Sequence, residues 1–88
     1  MGKKKTVSKT NPDALKEAGN KAFGNGSFEE AIKYYTQAIE LTPSHIYYAN
    51  RANAYLELTN FEACIKDCDE AIRIDPKYVK SYIRKANA

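Results

Sequence analysis

Lys16 and Asn20 stand four residues apart, and Lys80 and Arg84 repeat that spacing near the other end of the chain. On a helix, positions i and i+4 lie one above the other on a single face, so each pair would present its polar ends together. An arginine guanidinium can grip a carboxylate through two parallel bonds, a lysine adds a point charge, and an asparagine amide both donates and accepts. Such groups suit an anion, above all a carboxylate. The single histidine, His45, is far in sequence from both cysteines, Cys64 and Cys68, and no histidine sits beside a nucleophile and a carboxylate. Gly24 and Gly26 read as turn glycines, not as a phosphate-cradling loop. An enzyme therefore lacks its parts, and neither a metal nor a cofactor is expected.

The elements that must carry these residues are written twice. Ser27 to Pro43 recurs thirty-three residues later as Asn60 to Pro76. Phe28, Glu29, Ile32, Lys33, Ala38, Ile39 and Pro43 return as Phe61, Glu62, Ile65, Lys66, Ala71, Ile72 and Pro76. Phe28, Ala31, Ile32, Tyr35, Ala38 and Ile39 fall at helical spacing, and each copy stops at a proline, which cannot extend a helix. A fixed period of this size marks stacked helical units.

Local signals place the other helices. Asn11-Pro12-Asp13 combines a cap, a proline at the first helical position and an acid in the first turn, opening a helix to about Gly24 with Leu15, Ala18, Gly19 and Ala22 buried. Ser27 with Glu30 reads as a capping box for the next helix, which runs to about Leu41. Ser44 should cap a third helix, from His45 to about Leu58, with Tyr48, Ala49, Ala52 and Tyr55 inward. Asn60 should cap a fourth, ending near Ile74, and Asp75-Pro76 should start a fifth carrying Val79, Tyr82, Ile83 and Ala86. The fifth copies the third at an offset of 34, so Asn50 belongs to the middle member of three equivalent helices. Short connections make neighbours antiparallel. Small residues at the crossings, among them Gly19, Ala31, Ala38, Ala52 and Ala71, let helices approach, while Phe28, Tyr35, Tyr55 and Phe61 fill the gaps. Stacked pairs of this kind form a curved solenoid with a concave face.

Size and charge narrow the function. At 88 residues the chain holds one domain, and 43% apolar content is ordinary for a folded one. The net charge is +3, but Lys3, Lys4, Lys5 and Lys9 lie in the first nine residues, and without them ten basic side chains face eleven acidic ones. The folded part is thus not basic, which removes the main support for nucleic-acid binding. No apolar run reaches membrane-spanning length, so no membrane role is expected. Cys64 and Cys68 occupy the places of Ala31 and Tyr35 and read as buried thiols, in keeping with a reducing, cytoplasmic setting.

The period, with small residues in both helices and a closing proline, resembles the tetratricopeptide repeat. The resemblance implies an all-α, right-handed solenoid of antiparallel helix pairs: repeat one over 12–43, repeat two over 44–76 and the first helix of a third over 77–88. The polar, lysine-rich start, residues 1–11, reads as a disordered basic tail from its composition. Leu15-Lys16-Glu17 with Gly19-Asn20-Lys21, Tyr48-Ala49-Asn50-Arg51-Ala52 and Val79-Lys80-Ser81-Tyr82-Ile83-Arg84-Lys85-Ala86 are similar to the carboxylate-clamp subclass. Members occur in stress-inducible Hsp-organising co-chaperones, small glutamine-rich co-chaperones and a serine/threonine phosphatase. They hold the C-terminal Glu-Glu-Val-Asp peptide of heat-shock protein 70 or heat-shock protein 90 class chaperones. By this resemblance Lys16, Asn20, Asn50, Lys80 and Arg84 form the clamp. Phe23 falls on the face of Lys16 and Asn20 and Asn53 neighbours Asn50, so side pockets are expected there, with core packing between repeats as the alternative for Phe23. A terminal aspartate offers two carboxylates on one residue, which three cations and two amides would match. Glu57 departs from the pattern, because relatives commonly carry a base there. A third repeat lacking its second helix would leave Tyr78, Val79, Tyr82 and Ile83 partly bare and invite self-association. The competing expectations are a structural scaffold for another protein and the targeting domain of a larger enzyme such as a phosphatase.

Overall fold

Four helices follow one another among the described residues, 11–77 of the computed structural model. They are α1 (Pro12–Gly24), α2 (Phe28–Leu41), α3 (His45–Glu57) and α4 (Phe61–Ile74), each within a residue of its expected ends. The tail before Asn11, the fifth helix and its apolar residues fall outside the described residues.

The caps follow from the sequence at three of the four starts. Asn11 Oδ1 accepts from the backbone N–H of Asp13 at 3.0 Å and of Ala14 at 3.3 Å. Ser44 Oγ accepts from Ile46 N–H at 3.2 Å, and Asn60 Oδ1 from Ala63 N–H at 3.3 Å. The capping box at Ser27 does not form: Ser27 holds the cap position, but its side chain makes no cap hydrogen bond. The backbone explains half of this. A box needs the cap residue's own N–H for the glutamate, and that of Ser27 already donates to Ala22 O at 2.9 Å.

That bond belongs to a tight helix stop present in both repeats. Gly26 N–H donates to Phe23 O at 3.0 Å while Ser27 N–H reaches back to Ala22 O. Thirty-three residues on, Thr59 N–H donates to Leu56 O and Asn60 N–H to Tyr55 O, both at 2.9 Å. This paired pattern requires a left-handed residue after the helix, normally glycine. Gly26 fills the place at φ 82°, but in the second copy it is Thr59, at φ 58°. A β-branched residue there is strained by roughly 1–2 kcal/mol, while glycine adds unfolded-state entropy of about half that. Thr59→Gly is accordingly expected to stabilise the chain by about 0.5–1 kcal/mol, read as a rise in the urea midpoint at constant slope.

α1 packs on α2, α3 on α4, and α2 on α3, with a slighter contact between α1 and α3. The end of α1 meets the start of α2 where Phe23 and Phe28 stack edge to face, ring centroids 5.1 Å apart, as antiparallel neighbours require. Ala31, Ala38, Ala52, Ala54 and Ala71 are fully buried at the crossings. Tyr35 lies in one cluster with Ala22, Ala31 and Ala54, against which Phe23, Phe28, Ile32 and Tyr34 pack. Cys64 and Cys68 share another with Ala52, as buried thiols. Tyr47 and Ala54 also belong to the core, although their helical register had not marked them. Ala18, Tyr48 and Tyr55 are only half-buried. Phe61 is the clearest departure: expected to fill a gap, it is 47% exposed. The ring that Phe28 closes on, Phe23, is replaced in the second repeat by Leu56, which packs instead against the cysteine cluster.

Arg51 ties three helices together. Its Nε and Nη2 donate to the two oxygens of Asp67 on α4 at 2.7 and 2.8 Å, and its Nη1 donates to Thr36 Oγ1 on α2 at 3.0 Å. The guanidinium carbon lies 5.6 Å from the ring centre of Tyr48 and 5.9 Å from that of Tyr55. Asp67 is 4% exposed. Its hydrogen bonds to Arg51 hold the guanidinium above the ordinary arginine range, against the opposing effect of burial.

Candidate peptide-binding site

α1 carries Lys16, Asn20 and Phe23; α3 carries Asn50 and Asn53. Because α1 touches α3 as well as α2, these residues stand on adjacent helices. Lys16 is half-buried, with Nζ 3.9 Å from Oε2 of the exposed Glu17. An ion pair that long, to the next residue in the chain, holds the ammonium weakly and leaves it able to take an incoming anion. Asn50 and Asn53 are half-buried, and Glu57, at the end of α3, is exposed. Phe23 is committed to Phe28 and the core on one side, so any contact it makes with a ligand uses its remaining edge. Lys80 and Arg84 lie outside the described residues.

Asn20 is held differently. Its Oδ1 accepts from the hydroxyl of Tyr35, on α2, at 2.6 Å. Tyr35 is 2% exposed, and burial pushes its pKa up to about 12, so the hydroxyl remains a donor throughout the neutral range. The ring reaches Asn20 by lying against Gly19: a Cβ on that glycine would stand 2.5 Å from Tyr35 Cε1 and 2.8 Å from Cδ1. Small residues here admit a ring, where a backbone approach was expected. A second tyrosine bridges the same layer. Tyr47 Oη on α3 donates to Asp13 Oδ1 on α1 at 3.2 Å, and burial, with the hydrogen bond and the charge of Asp13, raises its pKa. Neither hydroxyl was assigned a polar role from the sequence. The available signal was the choice of tyrosine over phenylalanine at buried positions, since a buried tyrosine hydroxyl needs a partner.

Among the described residues no group of three histidine, cysteine, aspartate or glutamate side chains could hold a metal ion. No described helix is long and apolar enough to cross a membrane. The site's chemistry is that of polar donors on a helical surface, suited to reversible recognition of an acidic group.

Residues 12–45 and 46–78 each match the family described as Tetratricopeptide repeat. The chain is 46% identical over 77 residues to Small glutamine-rich tetratricopeptide repeat-containing protein 2 of Saccharomyces cerevisiae, covering 86% of this chain and 22% of that protein. It is 41% identical over 71 residues to human Sperm-associated antigen 1, covering 81% of this chain and 8% of that protein. Among solved structures, the second TPR of Spaghetti (RPAP3) bound to HSP90 peptide SRMEEVD superposes with a TM-score of 0.87 at 34% identity, over 96% of this chain and 79% of that one. The chain thus spans less than a quarter of the length of these two curated relatives. Two adjoining repeat matches, the recurring helix stop and the alternation of α1 to α4 agree on one conclusion: the chain belongs to the tetratricopeptide repeat family.

Proposed function

We propose that this chain is a co-chaperone adaptor domain that binds the C-terminal Glu-Glu-Val-Asp peptide of heat-shock protein 70 or heat-shock protein 90 class chaperones. Lys16, Asn20, Asn50, Lys80 and Arg84 act as a carboxylate clamp, with Phe23 and Asn53 beside the upstream peptide residues. The observation that carries this reading is the likeness, over nearly the whole chain, to a domain bound to a peptide with that same ending. The adjacency of α1 and α3, which bear Lys16, Asn20 and Asn50, supports it. The domain spans residues 12–88, with repeats over 12–43 and 44–76 and the first helix of a third over 77–88, and works in the cytoplasm without catalysis of its own.

Charged hydrogen bonds contribute roughly 1.5–3 kcal/mol each, and ordering a peptide residue costs about 1–2 kcal/mol. The balance points to about micromolar affinity, near −8 kcal/mol, weakened by salt as exposed charges are screened. Titration of a pentapeptide ending in Glu-Glu-Val-Asp, followed by calorimetry, tests the reading against the same peptide with an amidated C-terminus. The amide should bind at least about tenfold more weakly, since it loses a charged hydrogen-bonding group. Lys16→Ala should weaken the free-acid peptide several-fold while leaving helicity unchanged. Equal affinity for acid and amide would rule out a clamp and leave a scaffold.

A further inference from the structure

We infer that Tyr35 is a positioning residue for the clamp: by donating to Asn20 Oδ1 from beneath, it fixes the side-chain amide with both N–H groups free to meet a peptide carboxylate. The inference rests on the clamp reading above and concerns a residue that does not itself reach the ligand.

An asparagine amide is nearly symmetric in shape, and on an exposed helix face it can turn over at little cost. Turned one way it offers a carboxylate two donors; turned the other, it offers an oxygen, which repels. Asn20 lies on such an exposed face of α1. Its oxygen, however, is engaged at 2.6 Å by the hydroxyl of a side chain that is 2% exposed. Tyr35 cannot swing aside, because its ring is packed among Ala22, Ala31 and Ala54 and lies on the bare backbone of Gly19. The buried O–H needs an acceptor, and the Asn20 oxygen supplies it in one amide orientation; turned over, the amide could donate to the hydroxyl's lone pairs but would leave its O–H without that acceptor. The recognition surface on α1 is thereby set by a side chain of α2. A pre-oriented donor binds more tightly than one that must be ordered on arrival.

The test is a double-mutant cycle in the full 88-residue chain, with the Glu-Glu-Val-Asp pentapeptide as ligand. Tyr35→Phe keeps the ring and removes only the donor. It should weaken binding by about three- to tenfold, the span of one hydrogen bond. In an Asn20→Ala background the same change should alter affinity less than about twofold. The side-chain amide resonances of Asn20 in the free protein, two sharp signals in the parent, should shift and broaden in Tyr35→Phe; this readout needs no ligand, and a purely structural role would not move it. If Asn20→Ala weakens binding and Tyr35→Phe does not, the role of Tyr35 is overturned and the clamp stands. If Asn20→Ala itself leaves affinity unchanged, the clamp fails at this residue and the role of Tyr35 fails with it. An equal loss on Tyr35→Phe with and without Asn20 also overturns the proposal, since the effect would then not pass through the amide.

Discussion

Arg51→Ala is expected to cost about 3–5 kcal/mol of stability, the usual effect of removing one partner of a buried ion pair. For a domain whose total stability is on the order of 5–10 kcal/mol, that leaves little folded margin. Deleting the guanidinium strands the Asp67 carboxylate, 4% exposed, with both oxygens unpartnered by it, and removes the donor to Thr36 and the cation between Tyr48 and Tyr55. The penalty comes mainly from the charge left behind, not from the worth of the pair. Replacing both partners with apolar residues, as in Arg51→Met with Asp67→Leu, should therefore recover much of the loss. Urea unfolding followed by circular dichroism measures all three proteins. A loss below about 1 kcal/mol for Arg51→Ala, the range of surface pairs, would show that the tie is solvated and inessential.

This tie was hidden from the sequence for a definable reason. Period and proline spacing located the helices, and polar residues before each helix located three caps, because these signals are local. Arg51 and Asp67 are each unremarkable alone: a cation within a clamp-like stretch of α3, and an acid among the charges of α4. Their partnership appears only when the repeats are laid over one another. Arg51 stands where the first repeat has Ala18, and Asp67 where it has Tyr34. Tyr34 packs on two apolar clusters beside the half-buried Ala18; the second repeat replaces that arrangement with an ion pair. Two coordinated departures from the repeat mark a contact that neither residue type reveals. Phe61 errs in the opposite sense. Its match to Phe28 is sound, but the partner ring of Phe23 has become Leu56, so identity at one position did not carry the packing with it. For the candidate site, the sequence supplied Lys16, Asn20 and Asn50 by spacing and resemblance. The hydroxyl beneath Asn20 comes from a helix read purely as core.

Gly19→Ala should lower stability by about 2 kcal/mol, although the same change inside an ordinary helix raises it by up to about 1 kcal/mol. Which effect wins is decided at Tyr35. A methyl at position 19 would lie 2.5 Å from Cε1, 2.8 Å from Cδ1 and 3.0 Å from Cζ, all on a ring that is 2% exposed and closed in by α3 through Ala54. Overpacking of this kind costs about 1–3 kcal/mol, and a ring pushed off Gly19 also loses its hydrogen bond to Asn20, worth about 1 kcal/mol. For a chain of this size the thermal midpoint should fall by roughly 10 °C. The second repeat holds the compensating solution. There the equivalents of Gly19 and Tyr35 are Ala52 and Cys68, a larger residue facing a smaller one within one buried cluster. Combining Gly19→Ala with Tyr35→Cys should therefore melt higher than Gly19→Ala alone, because the methyl then meets a side chain of the size that accommodates it thirty-three residues later. The same double variant lacks the hydroxyl under Asn20, so it should regain stability without regaining peptide affinity. A thermal midpoint for Gly19→Ala at or above that of the parent would mean that helix propensity prevails and that the ring is not held where the contact requires.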